Sequence, residues 1–284
     1  MSNREHRAPG QVKEVTSLSN PIVKEIKALA LKKFRDQQNA FMAEGLKLVI
    51  DALDMGWTIR TLVFAKAGRG NPAVEKAAAR TVAAGGLVLE VSEKVLTAIT
   101  RRDNPQMVVG VFQQRWLPLK EIRPAGRDVW VALDRVRDPG NLGTIIRTVD
   151  AVGAKGVILV GEATDPFSLE TVRATMGSVF SVPVARANLE AFLAWRRDTP
   201  AQFVGTHLKG SVDYRTVDYA RRPVVLVMGN EQQGLPDALA EACDDVIRIP
   251  QAGRADSLNL AVATGVALYE IRRNALPTIG KDGN

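Results

Sequence analysis

Residues 224–270 read VVLVMGNEQQGLPDALAEACDDVIRIPQAGRADSLNLAVATGVALYE, and this stretch decides the fold. Val224 to Val227 is an apolar run short enough for a strand buried on both faces. It stops at the polar turn Gly229-Asn230-Glu231; Gly234 closes the turn, and Pro236 suits the first position of a helix. Val246 to Ile249 reads as a second buried strand. The polar loop Gln251–Asp256 follows, and Ser257-Leu258-Asn259 opens a helix to about Arg273. Two strand ends therefore carry polar loops that run into helices, the usual place for a ligand in an open α/β sheet. The plainer reading is two ordinary strand–loop–helix connections with Ser257 as an N-cap.

Upstream, Val129–Leu133, Gly156–Val160, Val179–Val184 and Phe203–Thr206 read as strands. The segments between them, from Asp138-Pro139-Gly140-Asn141 to Val152, Phe167 to Met176 and Leu189 to Arg197, read as helices. Alternation of this kind implies a mainly parallel sheet with helices on both faces. GNEQQGL followed by IPQAGRADSLNLAVATGVALYE resembles the second and third motifs of the SpoU-type (TrmH-like) RNA ribose methyltransferases, a branch of the SPOUT superfamily. The first motif, N-x-G-x-x-x-R, is matched by Asn141, Gly143 and Arg147, in the expected order along the chain. The resemblance implies a trefoil knot, a homodimer formed through the C-terminal domain, and S-adenosylmethionine as cofactor.

Methyl transfer to a ribose 2′-hydroxyl needs donor and nucleophile aligned, and a very weak acid relieved of its proton. No metal is required, and two His with one Cys make a Cys/His zinc site an unlikely design. By resemblance, Gly229, Ile249 and Leu258 are cofactor-binding, with Thr206, Asn230 and Pro250 beside them. Gly229 lets backbone approach closely; Ile249 and Leu258 supply apolar walls. Arg147 matches the catalytic arginine. Guanidinium is effectively always protonated, so holding phosphate and stabilising a developing alkoxide is easier physics for it than acting as base. The plain structural alternative for Arg147 is an ion pair with Asp150, three residues along the same helix. Asn141, Glu231, Ser257 and Asn259 match motif positions that shape the site; as plain structure they are turn and cap residues. Arg173 and Ser178, in VRATMGSVF, belong to a further family-like patch with no role assigned.

The chain has 284 residues, enough for two domains, and a 46% apolar fraction that supports a globular core. No apolar run is long enough to span a bilayer, and MSNREHRAPG lacks a signal-peptide core. A single cysteine, Cys243, excludes an intrachain disulfide and fits a cytoplasmic protein. Net charge is +7. Most of that surplus lies early: Arg4, Arg7, Lys13, Lys24, Lys27, Lys32, Lys33 and Arg35 face only Glu5, Glu14 and Glu25 within residues 1–35.

Residues 1–18 read as a polar tail. Asn20-Pro21 is a helix start, with Ile22, Ile26 and Leu29 on one face and Lys24, Lys27 and Arg35 elsewhere. That basic face is either solvated or an RNA contact. Phe41–Ala65 reads strand, helix, strand. NPIVKEIKALALKKFRDQQNAFMAEGLKLVIDAL, through Asn20, Lys24, Arg35, Glu44 and Gly45, resembles the small ribosomal-protein-like substrate-binding domain of ribosomal-RNA members of the family, which implies an RNA-binding domain over residues 19–115; Arg101 and Arg102 precede its last strand, Met107–Phe112, as further RNA candidates. Residues 116–128, with Pro118, Pro124 and Gly126, read as a linker before a methyltransferase domain at 129–284. Gly68-Arg69-Gly70-Asn71-Pro72-Ala73, with Glu90 downstream, outlines a dinucleotide fingerprint. Pro72 removes a backbone donor where pyrophosphate needs one, so an ordinary helix start is the better reading. The extra N-terminal domain favours ribosomal RNA over tRNA as partner, with no membrane. A nonenzymatic RNA-binding assembly factor on the same fold is the alternative from another class, and has no need of the motif residues.

Overall fold

Strand β6 (Val129–Asp134) is buried along its whole length, and its side chains alternate between two cores. Val129, Val131 and Leu133 join a cluster with Ile145, Ile146, Val149 and Leu268; Trp130 and Ala132 join another with Phe192, Phe203 and Leu239. A strand apolar on both faces belongs in the middle of a helix-covered sheet. The computed structural model describes residues 10–208 and 212–277. Those residues fall into two units by packing: one comprises the chain up to Gln114 together with Phe167–Phe180, the other Arg115–Pro166 and everything from Ser181.

The first unit runs β1 (Gln11–Val15), α1 (Pro21–Ala28), α2 (Lys32–Gln38), β2 (Ala40–Glu44), α3 (Leu46–Asp54), β3 (Ile59–Ala65), α4 (Pro72–Ala83), β4 (Leu87–Val91), α5 (Glu93–Thr100) and β5 (Val108–Gln113). Its sheet has the order β1-β4-β3-β5-β2, parallel from β1 to β3 and antiparallel across β5. Asn20 caps α1, its side chain accepting from Ile22 N at 2.9 Å, with Pro21 at the first position. Asn71 and Pro72 start α4 in the same way. Glu90, the acid of the apparent dinucleotide fingerprint, is held by Arg69 at 2.8 Å, so those letters encode a helix start and an ion pair.

The second unit runs β6, α6 (Pro139–Ala151), β7 (Gly156–Val160), β8 (Val184–Ala187), α8 (Leu189–Asp198), β9 (Gln202–Thr206), β10 (Val212–Asp213), β11 (Val224–Met228), α9 (Asp237–Glu241), β12 (Asp245–Arg248) and α10 (Leu260–Arg272); the intervening α7 (Leu169–Ala174) packs with the first unit. The sheet order is β10-β12-β9-β11-β6-β7-β8, parallel at every pairing. This is the expected α/β class: a parallel sheet between helices, with a smaller α/β unit besides. Strands β9, β11, β12 and β6 all end on the edge where the polar loops begin, because parallel strands share one carboxyl edge.

Local readings differ in four places. The expected polar tail contains β1, whose residues Gln11–Glu14 are exposed; a strand with one buried residue gives no hydrophobic alternation, and residues 1–9 lie outside the described ones. The expected linker is packed: Leu117 bridges to Ala185, and Ile122 is 2% exposed against Phe192 and Phe203. The expected strand 179–184 is a 3₁₀ turn at Ser178–Phe180 followed by β8. The last helix starts at Leu260, with Asn259 rather than Ser257 as its cap. Asn259 Oδ1 accepts from Ala261 N at 2.9 Å and from Val262 N at 3.2 Å.

Candidate active site

The loops after β9, β11 and β12 enclose a cavity of about 320 Å³. Met228, Ile249 and Leu258 give it apolar walls; Thr206, Asn230 and the 229–234 backbone give it polar groups. Of the expected cofactor residues, Gly229, Ile249, Leu258, Thr206 and Asn230 line this cavity, as do Glu231 and Ser257. Pro250 does not line it and is exposed. His207, Gln232 and Gln233 line it too, without a signal in the sequence that singles them out.

The loop after β11 folds back on itself. Asn230 and Gly234 exchange two backbone hydrogen bonds, at 3.0 and 2.9 Å. A Cβ on Gly229 would stand 2.2 Å from both Gly234 C and Leu235 N. The glycine is thus required by the loop's own backbone, a different reason from the close ligand approach the sequence suggests. Asn230 Oδ1 accepts from Gln232 N and Gln233 N, and Asn230 Nδ2 donates to Arg135 O at 2.8 Å. Arg135 occupies the left-handed region (φ 45°) and spans from the buried Asp134, at 2.9 Å, to Gln233 Oε1, at 3.0 Å. The Asp134 carboxylate raises the Arg135 pKa above its ordinary value. Backbone conformation of this kind leaves no trace in residue type, which is why Arg135 escapes a sequence reading.

Three motif residues meet beside the cavity. Asp138 caps α6 by accepting from Asn141 N at 2.6 Å, so Asn141 is not the cap itself. Its side chain is free for other partners: Nδ2 donates to Glu231 at 3.3 Å, and Oδ1 accepts from Asn259 Nδ2 at 2.9 Å. Glu231 also accepts from Arg137 N and Asp138 N at 3.3 Å. Residues 90 and 118 positions apart are thereby joined in one chain of hydrogen bonds. Arg147 lies on α6, exposed, under two turns beyond Asn141. Among the described residues it makes no hydrogen bond or ion pair, and Asp150 accepts from Ser181 Oγ at 3.0 Å instead. The alternative of an Arg147–Asp150 pair is therefore not what the structure contains.

In the first unit, Lys24, Arg101 and Arg102 are exposed and Lys27 is half-buried. Arg35 departs from the expected RNA contact: it is 3% exposed, and its guanidinium donates to the Leu29 and Ala30 carbonyls at 2.8 and 2.9 Å. Those are carbonyls left over at the end of α1, and an arginine buried on them is not presented to phosphate. Among the described residues no cluster of His, Cys, Asp or Glu could hold a metal, and no helix is long and apolar enough to cross a membrane.

A parallel sheet with a cavity over its carboxyl edge, walled by motif loops, is the architecture in which α/β proteins bind their ligands. Residues 128–269 match the SpoU rRNA Methylase family, and residues 20–110 match the MRM3-like substrate binding domain. The chain is 32% identical over 261 residues to the 23S rRNA (guanosine(2553)-2′-O)-methyltransferase RlmP of Bacillus subtilis, covering 92% of this chain and 100% of that one. It is similar to the crystal structure of an AdoMet-bound rRNA methyltransferase from Sinorhizobium meliloti, at 68% identity and TM-score 0.90, over 94% of this chain and 100% of that chain. The SpoU methyltransferase AviRb from Streptomyces viridochromogenes, in complex with AdoMet, shares 31% identity and TM-score 0.78 over 90% and 99%. The chain belongs to the SpoU rRNA methylase family. It is an S-adenosylmethionine-dependent RNA 2′-O-methyltransferase, and the cavity's size, apolar walls and polar backbone suit an adenosyl group.

Proposed function

We propose that the substrate is ribosomal RNA, methylated on a ribose 2′-oxygen, and that the enzyme works in the cytoplasm as a homodimer. The observation that carries the chemistry is an exposed, unengaged Arg147 on the helix whose first turn bears the Asn141–Glu231–Asn259 chain of hydrogen bonds. Bound cofactor supplies an electrophilic methyl group. Gly229, Ile249, Leu258, Thr206 and Asn230 hold the adenosyl portion. Glu231 and Asn259 fix Asn141, which fixes the first turn of α6 and hence the station of Arg147. Arg147 takes the substrate phosphate and stabilises the developing alkoxide as the hydroxyl oxygen bonds to the methyl carbon, the methyl leaves the cofactor sulfur, and the hydroxyl proton passes to solvent water at this exposed position. Ser257, exposed at the cavity mouth, closes the third motif around the site.

Ribosomal RNA is supported by the substrate-binding domain and by the relatives' substrates. Exposed Lys24, Arg101 and Arg102 offer phosphate contacts there. The homodimer is supported by α10, where Val262 and Tyr269 are each 52% exposed and Val266 lies between them. The knot implied by the family remains part of this reading. Mapping ribose methylation in ribosomal RNA and tRNA from cells with and without the protein tests the substrate. Loss of one ribosomal-RNA methyl supports it; loss confined to tRNA refutes it.

A further inference from the structure

Residues 167–180 fall inside the methylase family match, yet they pack with the N-terminal unit. Phe167 sits 4.8 Å from Phe41, and Phe180 lies 5.2 Å from both Trp57 and Phe112, ring centre to ring centre. Trp57 Nε1 donates to Phe180 O at 2.8 Å. From this segment, Arg173 reaches Glu44 at the end of β2. The Glu44 side chain is 3% exposed and pairs through Oε1 with Arg173 Nη2. The same Nη2 donates to Thr100 O at 2.8 Å. Thr100 is the last residue of α5, so a cation is placed on a carbonyl at a helix C-terminus, where it is favoured. Arg101 follows at once, in the left-handed region at φ 57°. Glu44 Oε2 is buried without a hydrogen-bond partner, and Arg102 Nη1 stands 3.6 Å from it.

We infer that Arg173 and Glu44 are positioning residues for RNA recognition: together they fix the end of α5 and so set where Arg101 and Arg102 leave the protein. This rests on the reading of Arg101 and Arg102 as RNA contacts. Glu44 makes the inference testable, because it is too buried to touch RNA. If charge alone mattered, Glu44→Gln would remove a negative charge and tighten binding to a polyanion. If Glu44 acts by placing the loop, the same change weakens binding.

The full chain is assayed by single-turnover methylation of ribosomal RNA over a range of RNA concentrations, with cofactor affinity by calorimetry and a melting curve for each variant. Arg173→Ala and Glu44→Gln should each raise the half-saturating RNA concentration about tenfold, the cost of roughly one lost charge-assisted contact. Rate at saturating RNA and cofactor affinity should stay at wild-type values, and Arg173→Lys should recover part of the loss. The Arg101→Ala/Arg102→Ala double variant should be weakened similarly, with little further loss when Arg173→Ala is added, since coupled sites are not additive. Unchanged or tighter RNA binding by Glu44→Gln overturns the inference; if Arg173→Ala alone then weakens binding, Arg173 touches RNA directly. An Arg101→Ala/Arg102→Ala enzyme with normal RNA dependence instead refutes the contacts on which the inference rests. Should Arg173→Ala fail to fold, Glu44→Gln and Arg173→Lys carry the same comparison.

Discussion

Asn259 Nδ2 donates to Asn141 Oδ1 at 2.9 Å, tying the residue that caps α10 to the first turn of α6. Asn259 thus holds two roles at once: its Oδ1 satisfies the first N–H groups of α10, and its amide orients Asn141 towards Glu231. Asn259→Asp keeps the cap acceptor and removes the donor. It should therefore leave thermal stability within about 1 kcal/mol and lower the methylation rate. Melting curves beside single-turnover rates separate the two roles; a fully active Asn259→Asp would show the bond to be structural only.

Glu231 accepts from two backbone N–H groups and from Asn141. A glutamine there keeps the shape but turns an amide donor towards at least one of those donors. Glu231→Gln should lose on the order of 1–2 kcal/mol of stability and most of the methylation rate. Chemical denaturation and single-turnover kinetics check both.

Gly229→Ala would place its Cβ 2.2 Å from backbone atoms of Gly234 and Leu235. Backbone cannot yield as a side chain end can, so the loop after β11 must shift. S-adenosylmethionine affinity should fall by about tenfold or more, or roughly 1.4 kcal/mol. Calorimetry returning wild-type affinity on a folded sample would contradict this geometry.

Phe180→Ala removes a ring 5% exposed that packs on Phe41, Trp57 and Phe112. Destabilisation of about 3–5 kcal/mol is expected, with a red shift of Trp57 emission. The same packing means that residues 1–114 produced alone should melt far below the full chain.

Burial pushes the Cys243 thiol up to about 12. In the folded protein it should resist alkylation at pH 8 and react at the ordinary rate once denatured, because thiolate is the nucleophile. An unfolded thiol ionises first, near pH ~8.5, so the thiol's contribution to stability is present below that pH and fades as pH rises towards the folded value.

The parallel sheet was legible because β6, β7 and β11 are continuous apolar runs bounded by turn residues. Asn20-Pro21 and Asn71-Pro72 announced their helices by local cap chemistry alone. What was not legible depends on distance along the chain. Arg35 carries the same letter as a phosphate-binding arginine, and only the fold turns it onto the Leu29 and Ala30 carbonyls just past α1. Segment 167–180 reads as part of the methylase sequence, and nothing in it says that Phe167 and Phe180 complete another unit's core. Motif spacing brought Asn141, Glu231 and Asn259 to attention, but not which atom faces which. Arg135 stayed hidden because its left-handed backbone and its span to Gln233 are properties of conformation.

Arg147 has no partner among the described residues, so a purely structural role leaves its substitution without effect. Arg147→Ala should keep S-adenosylmethionine affinity near wild type and lose on the order of a hundred- to a thousandfold in single-turnover rate. Arg147→Lys should recover little, since a point charge cannot fork between two oxygens, and Asp150→Ala should be near normal. An Arg147→Ala enzyme within fivefold of wild type would retire the assignment.

The most direct measurement follows the methyl group itself. Purified protein is incubated with methyl-labelled S-adenosylmethionine and ribosomal RNA lacking its native methyls, and the RNA is then hydrolysed in alkali. A methylated 2′-oxygen cannot attack the neighbouring phosphate, so the account predicts label in alkali-resistant dinucleotides, appearing on the order of a hundred- to a thousandfold more slowly when Arg147→Ala replaces the wild type. Label released in mononucleotides, which marks base methylation, or no label in RNA at all, would contradict it.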